Sequence, residues 1–214
     1  MGISPNSVQP RWVFGGTVAV LATCAALMLW VDKPLAWALE PLHGGLIRGI
    51  VGEVSFMGDS HWYLAAGALM WGVARGRWPH TARAGQVLFW ASALAGLAAL
   101  ALKVTLGRYR PELLFEQGLY GFGGPALHHD YLAWPSGHAT TVFAAAVSLS
   151  LAWPRAAGVF FSVALFIAAG RCITTVHYLS DVVAGIWLGS ATALCCAAYL
   201  PWARRSTVPA EAAA

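Results

Sequence analysis

"AWPSGHATTVFAAAVSLSLAW", residues 133–153, places a polar helix start in front of one of the most apolar runs of the chain. Ser136 is a favoured N-cap residue, and Pro135 belongs ahead of a helix rather than inside one, because it has no N–H to donate. From Ala139 to Trp153 no residue is charged. A segment of this kind suits a helix in lipid. His138, just inside the start, reads either as a histidine that happens to follow a cap or as the edge of an active site.

Spanning helices require about 20 mostly apolar residues, and six segments approach this, at about 13–31, 61–75, 86–104, 136–153, 156–173 and 179–200. Composition agrees: the 214 residues are 58% hydrophobic and 10% charged, whereas soluble domains carry about 25% charged residues. The expected fold is therefore an all-α integral membrane protein, residues 1–214 forming one domain, with six transmembrane helices around a helical-bundle core. The first segment also loosely matches a lipoprotein signal at "LATC" (21–24). The apolar run continues through Met28, Leu29 and Trp30 and no A-x-A site follows, which favours an uncleaved helix.

Two connections are long. Residues 32–60 place Leu35, Leu39, Leu42, Leu46 and Ile50 at spacings of three and four, which predicts interfacial helix pieces broken at Pro41 and Gly44-Gly45. Residues 112–134 are rich in Gly and aromatics and show no helical period, so a functional loop is expected. With the N-terminus in the cytoplasm, the inner segments collect Arg11, Arg75, Arg77, Arg83, Arg155, Arg204 and Arg205, and of the acids only Glu211. The positive-inside rule then puts both termini in the cytoplasm. The predominance of Arg over Lys, with abundant Ala and Gly, fits a bacterial cytoplasmic membrane.

The net charge of +4 comes without any basic run, so nucleic acid is not an expected partner. The four cysteines, Cys24, Cys172, Cys195 and Cys196, form no CxxC pair and suggest neither zinc nor a disulfide framework. Nothing in the sequence specifies an oligomeric state.

Ionisable groups near apolar segments are costly and usually functional. Lys103 and Arg110 are seven residues apart at the end of the third helix, so they share a face if the helix continues that far. Singly, they read as cations snorkelling at a helix end. Ser136, Gly137 and His138 open the fourth helix, whose exposed N–H groups suit an anion, although Ser136 also reads as a plain cap. Arg171, His177 and Asp181 surround the junction of helices five and six. His177 and Asp181 are i,i+4, so the carboxylate can bond the imidazole, while a turn must separate Arg171 from His177. In a six-span topology all three groups fall on the outer face, and that convergence outweighs the separate bland readings.

Three cations and a helix N-terminus cradle a dianionic phosphoryl group. A histidine backed by Asp is a nucleophile candidate, and a second histidine can protonate the leaving oxygen and then activate water. That division requires His177 neutral and His138 protonated at the start. No acidic cluster is available for a metal, and no cofactor is implied. The set reads as metal-independent phosphate-ester hydrolysis through a phosphohistidine, with a lipid phosphate as substrate and membrane lipids as surroundings.

"KVTLGRYRP" (103–111), "PSGH" (135–138) and "RCITTVHYLSD" (171–181) together resemble the three signature motifs of the type-2 phosphatidic acid phosphatase family, related to bacterial acid phosphatases and vanadium haloperoxidases. The spacings K-x6-R-P, P-S-G-H and R-x5-H-x3-D all match, over about 80 residues; Gly170 stands where the family usually has Ser. The resemblance implies that Lys103, Arg110, Arg171, Ser136 and Gly137 bind phosphate. It also implies that His177 is the nucleophile, Asp181 its orienting partner and His138 the acid/base.

Substrate classes compatible with this are polyprenyl pyrophosphate and glycerophospholipid phosphates such as phosphatidylglycerol phosphate and phosphatidic acid, ranked first, and lipid A phosphate. The alternatives are a non-enzymatic carrier or lipid-binding protein with a relic phosphate site, and a vanadate-dependent oxidant. Among weaker signals, Asp59 or Ser60 reads as the N-cap of the second helix. His128, His129 and Asp130 read as loop residues rather than metal ligands, and Tyr120, Phe122, Tyr131 and Trp134 as an aromatic belt at headgroup level.

Overall fold

The structure, a computed structural model, describes residues 9–44 and 46–200. Arg204, Arg205 and Glu211, used above for orientation, lie outside the described residues, as does Gly45.

Each predicted apolar segment lies on a helix. These are α1 (Pro10–Trp30), α4 (Ser60–Ala74), α5 (Pro79–Leu106), α7 (Gly137–Ala152), α8 (Ala157–Ile173) and α9 (Leu179–Tyr199). Between α1 and α4 run α2 (Asp32–Leu39), a 3-10 turn (Glu40–Gly44), α3 (Leu46–Ser55) and a second 3-10 turn (Phe56–Gly58). These are the helix pieces expected there, with the break at Pro41. Their packing is more than interfacial, since Asp32 and Ala36 of α2 are buried. The side chains of Leu46 and Ile50 lie outside the described set.

Among the described residues, four helical stretches are long and apolar enough to cross a membrane: Arg11–Trp30, Pro79–Leu106, Pro154–Ile173 and Leu179–Tyr199. α7 is apolar but has 16 residues, and α4 has 15. At 1.5 Å per residue these reach about 22–24 Å, short of a hydrocarbon core of about 30 Å. The six-span arrangement is compatible with this pattern, but four helices have the full length. α7 has a physical reason to be short. It is the central helix, with every residue from Ala139 to Ser148 buried, so protein rather than lipid sets its length.

Small residues let the helices approach closely around α7. One core cluster joins Ala139, Val142, Phe143 and Ala146 to Ala164, Ile167 and Ala168 of α8. A second joins Ala144 and Val147 to Val87, Ala91 and Ala95 of α5 and to Ala193 and Cys196 of α9. At the α7–α9 crossing, a Cβ on Gly189 would overlap the Thr140 carbonyl oxygen and sit 2.9 Å from the Ala144 nitrogen. These are backbone atoms of a packed helix, which no rotamer change can move. Ala is the better helix former by about 1 kcal/mol, whereas overpacking costs about 1–3 kcal/mol. Gly189→Ala is therefore expected to lower the thermal unfolding temperature in detergent; an unchanged or raised temperature would contradict this packing.

α1 rests on α9: a Cβ on Gly16 would run into the Trp187 ring, whose Nε1–H donates to Thr17 Oγ1 at 3.0 Å. Its other faces leave Phe14, Leu29 and Trp30 exposed, as a lipid-facing helix requires.

The loop expected over 112–134 is a loop through most of its length but begins and ends with helical turns. Its first part is a short helix, α6 (Pro111–Gln117), and His129–Tyr131 forms a 3-10 turn. The signals for α6 were local: Pro111 at its start, Glu112 in the first turn, and Gly118 closing it with φ 70°. Seven residues are too few to display a period.

Candidate active site

α5 does not run on to Arg110. It ends at Leu106, where Gly107 turns the chain with φ 58°, and a Cβ there would collide with the Gly124 carbonyl oxygen. The shared face of Lys103 and Arg110 is therefore made by a turn, not by two helical repeats. The N–H of Arg110 donates to the Asp130 carbonyl at 2.9 Å, its Nε to the His129 carbonyl at 3.0 Å, and its Nη1 to the Val176 carbonyl at 3.3 Å. His128 and His129 thus serve as loop residues. Their exposed rings lie 3.3 and 3.5 Å from Asp130, and the backbone of the loop holds Arg110.

Lys103 stays in the last turn of α5, and its Nζ donates to the Leu132 carbonyl at 2.6 Å. Its Cε would be 3.8 Å from a Cβ on Gly137, so its stem lies beside the first turn of α7. Arg171 closes α8, and its Nη1 donates to Ser55 Oγ of α3. A turn through Thr174 and Thr175, the latter at φ 50°, then reverses the chain. The N–H groups of Val176 and His177 both donate to the Arg171 carbonyl at 3.1 Å, which locks His177 to the end of the arginine's helix.

Ser136 occupies the N-cap position of α7 but makes no side-chain cap bond, and its buried Oγ has no protein partner. Its N–H is already used, donating to the Asp181 carbonyl at 2.9 Å. What remains for a ligand is the Ser136 hydroxyl and the free N–H groups at the start of α7. Asp59 occupies the N-cap position of α4, again without a capping bond. Its Oδ1 is instead 3.5 Å from Nε2 of His138, whose ring packs against Gly58. Asp59 therefore holds the N-cap position, as expected, but turns its carboxylate to the histidine rather than to the helix N–H groups.

His177 and Asp181 meet, though not as residues of one helix, since α9 begins only at Leu179. Asp181 is the third residue of α9, and its Oδ2 accepts the Tyr178 N–H at 2.8 Å in a capping box. That fold-back brings Oδ2 to 3.4 Å from Nδ1 of His177. The ring is 4% exposed. Its pKa is pushed well below 6.5, first by burial, then by the positive charges of Lys103, Arg110 and Arg171, and by His138. All four residues therefore act on one neutral imidazole.

Two residues outside the predicted set complete the site. Arg108 and Asp32 are fully buried, and Arg108 bridges Asp32 and Asp181. Arg108 stood in view inside the first motif, but its partner lies 76 residues away on α2, at a distance no local spacing reveals. Consequently Asp181 is neutralised from behind. Among the described residues no carboxylate lies within 4.0 Å of Lys103, Arg110 or Arg171. No group of three or more His, Cys, Asp or Glu residues suited to a metal occurs among the described residues.

A sequence profile of the PAP2 superfamily matches residues 85–205, more than half of the chain. The chain belongs to this family. A lipid A 1-phosphatase from Rhizobium johnstonii is 30% identical over 196 residues, covering 84% of this chain and 77% of the relative. Another, from Rhizobium etli, is 28% identical over 191 residues, covering 84% and 81%. The fold is similar to the crystal structure of the first transmembrane PAP2-type phosphatidylglycerolphosphate phosphatase from Bacillus subtilis. The TM-score is 0.64 at 18% identity, over 87% of this chain and 93% of that one. The protein is accordingly a membrane lipid phosphatase of the PAP2 superfamily, which sets aside the non-enzymatic carrier.

Proposed function

We propose that the protein removes the phosphate of a lipid A-type glycolipid, without a metal, through a phosphohistidine on His177. The observation that carries the chemistry is the set of three cations, Lys103, Arg110 and Arg171, that share a site yet lack a carboxylate partner. Burying unpaired charge is costly, so such a set is built for an incoming anion. The phosphate oxygens take these three cations, the Ser136 hydroxyl and the N–H of Gly137.

The Nε2 lone pair of His177 attacks phosphorus as the bond to the lipid oxygen breaks. His138 gives its proton to that oxygen, and the lipid alcohol leaves. A water then attacks the phosphohistidine and surrenders a proton to His138, the P–N bond breaks, and inorganic phosphate departs. Asp181 beside Nδ1 favours the tautomer with Nε2 free and compensates the charge that develops on the ring. With both termini in the cytoplasm of a bacterial inner membrane, this site opens on the outer leaflet.

The curated relatives favour lipid A over the polyprenyl pyrophosphate and glycerophospholipid classes that rank first from the sequence. A cavity of about 360 Å³ beside Arg110 supports a polar headgroup: it is lined by Glu40, Glu112, Glu116, Phe115 and His129. Carboxylates beside an aromatic ring suit sugar hydroxyls. Phosphate release should be measured from lipid A, phosphatidylglycerol phosphate, phosphatidic acid and a polyprenyl pyrophosphate, each with and without chelator. The expected result is the highest kcat/KM on lipid A, unaffected by chelation. Preference for another lipid overturns the substrate, and activity that needs added Mg²⁺ overturns the metal-independent chemistry.

A further inference from the structure

Arg108 is the largest fully buried side chain of the described protein, yet the phosphate chemistry does not call on it. Its Nη1 donates to Asp181 Oδ1, and to Ser180 Oγ at 2.6 Å; its Nη2 donates to Asp32 Oδ2 at 2.7 Å. Ser180 strengthens the same cluster, donating its hydroxyl to Asp32 Oδ2 and its N–H to Asp32 Oδ1 at 3.1 Å. The guanidinium also lies over the rings of Tyr178 and Tyr120, at 4.7 and 5.7 Å. Burial opposes its charge, but the carboxylates of Asp181 and Asp32 prevail and hold its pKa above the ordinary value.

We propose that Arg108, clamped by Asp32, is a positioning residue for the reaction, fixing the Asp181 carboxylate and through it the His177 ring. This rests on the reading above that His177 is the nucleophile and Asp181 its partner. Asp181 divides its oxygens: Oδ1 goes to Arg108, while Oδ2 takes the Tyr178 N–H and faces Nδ1 of His177. Without the first bond the carboxylate is free to rotate about its own side chain, and Nδ1 of His177 loses its fixed neighbour. Arg108 in turn needs a second anchor, or it would swing with Asp181; Asp32 supplies it from another helix.

The arrangement has an electrostatic consequence as well. The Asp181 carboxylate attracts Lys103 and Arg110 and would otherwise compete with substrate for them. Arg108 engages Asp181, with Asp32 holding it from the other side, and leaves the cations to the phosphate. The residue also sits in the turn that delivers Arg110, with its carbonyl accepting the Ala133 N–H at 3.1 Å just ahead of Pro135 and Ser136. One turn therefore links the nucleophile's partner to two of the phosphate-binding segments.

A purely structural ion pair would explain the burial equally well, so the test must separate the two roles. Arg108→Gln leaves two buried carboxylates without counter-charge. Arg108→Gln combined with Asp32→Asn removes one of them and returns the cluster to the single net negative charge of the wild type. Each purified protein is assayed for kcat and KM on its best lipid substrate and for thermal unfolding. The expected result is a fall in kcat of about 10- to 100-fold in both variants, the scale on which partners that orient a histidine act at metal sites. KM should be little changed, and the double variant should regain much of the unfolding temperature lost by the single one. Where Arg108→Gln alone is too unstable to assay, the double variant decides between the roles. Recovery of wild-type kcat along with stability would assign Arg108 a structural role only, and a loss confined to KM would make it a substrate ligand; either overturns the proposal. A wild-type protein that hydrolyses none of the lipids would instead defeat the proposed function itself.

Discussion

His177→Ala is expected to abolish phosphate release from every lipid substrate, with kcat reduced by at least about 10⁴-fold, the scale on which loss of a covalent-catalysis residue acts. The ring is neutral because burial and three neighbouring cations oppose its protonation. A neutral imidazole with Nε2 free is a competent nucleophile, and the cations that keep it neutral also draw the phosphoryl group toward it. The substitution should leave the fold intact. Asp181 keeps its bonds to Arg108 and to the Tyr178 N–H when the ring is removed. Rapid acid-free quenching with labelled substrate checks the mechanism: the wild type should carry an acid-labile, base-stable phosphoryl group and the variant none. A labelled variant would move the nucleophile elsewhere. The sign of the pKa shift adds a pH expectation. Because the pKa in the free protein lies well below 6.5, protonation of His177 should not reduce kcat/KM as pH falls through 6.5, and its acidic limb should appear only well below that value.

His138→Ala should reduce kcat on lipid substrates by about 10²–10⁴-fold, the range for general acid–base catalysis, and the loss should depend on the leaving group. An alkoxide is a poor leaving group and needs the proton that His138 supplies. A nitrophenolate is not, so a nitrophenyl phosphate should phosphorylate the variant readily. Hydrolysis of the phosphohistidine still requires a base, so the reaction should stall after one turnover and show a burst of about one nitrophenolate per protein molecule. A variant slowed equally on both substrates, without a burst, would remove His138 from both proton transfers. Its surroundings make the loss specific. The ring packs on Gly58 and faces Asp59 at 3.5 Å, so its removal touches the 3-10 turn ahead of α4 rather than the core beneath α7.

Much of the site was legible because its residues stand at fixed local spacings. Pro135 to His138 is a single helix start, and Arg171, His177 and Asp181 are close in sequence, so their meeting needs only one turn. The routes differed from the simple expectation. Gly107 ends α5 before Arg110, and Asp181 reaches His177 by folding back as a capping residue rather than across one helical turn. The contacts of Ser55, Asp59 and Asp32 were not legible. Each lies on the 32–60 connection, and its partner is far away in sequence: Ser55 with Arg171, Asp59 with His138, and Asp32 with Arg108.

By itself the sequence determined that the chain is a helical membrane protein, and it singled out the residues proposed here for a phosphate site. Apolar run length, helix-start chemistry and motif spacing are local properties, and local properties survive in a linear string. Only the tertiary structure decided how that site is held. Arg108 and Asp32 sit at 0% side-chain exposure, 76 residues apart, and Asp181 is tied to both. A buried charge is tolerable only with its counter-charge in place. Which carboxylate meets which guanidinium is a consequence of how α2, the turn after α5 and the start of α9 pack together, and no single segment contains that information.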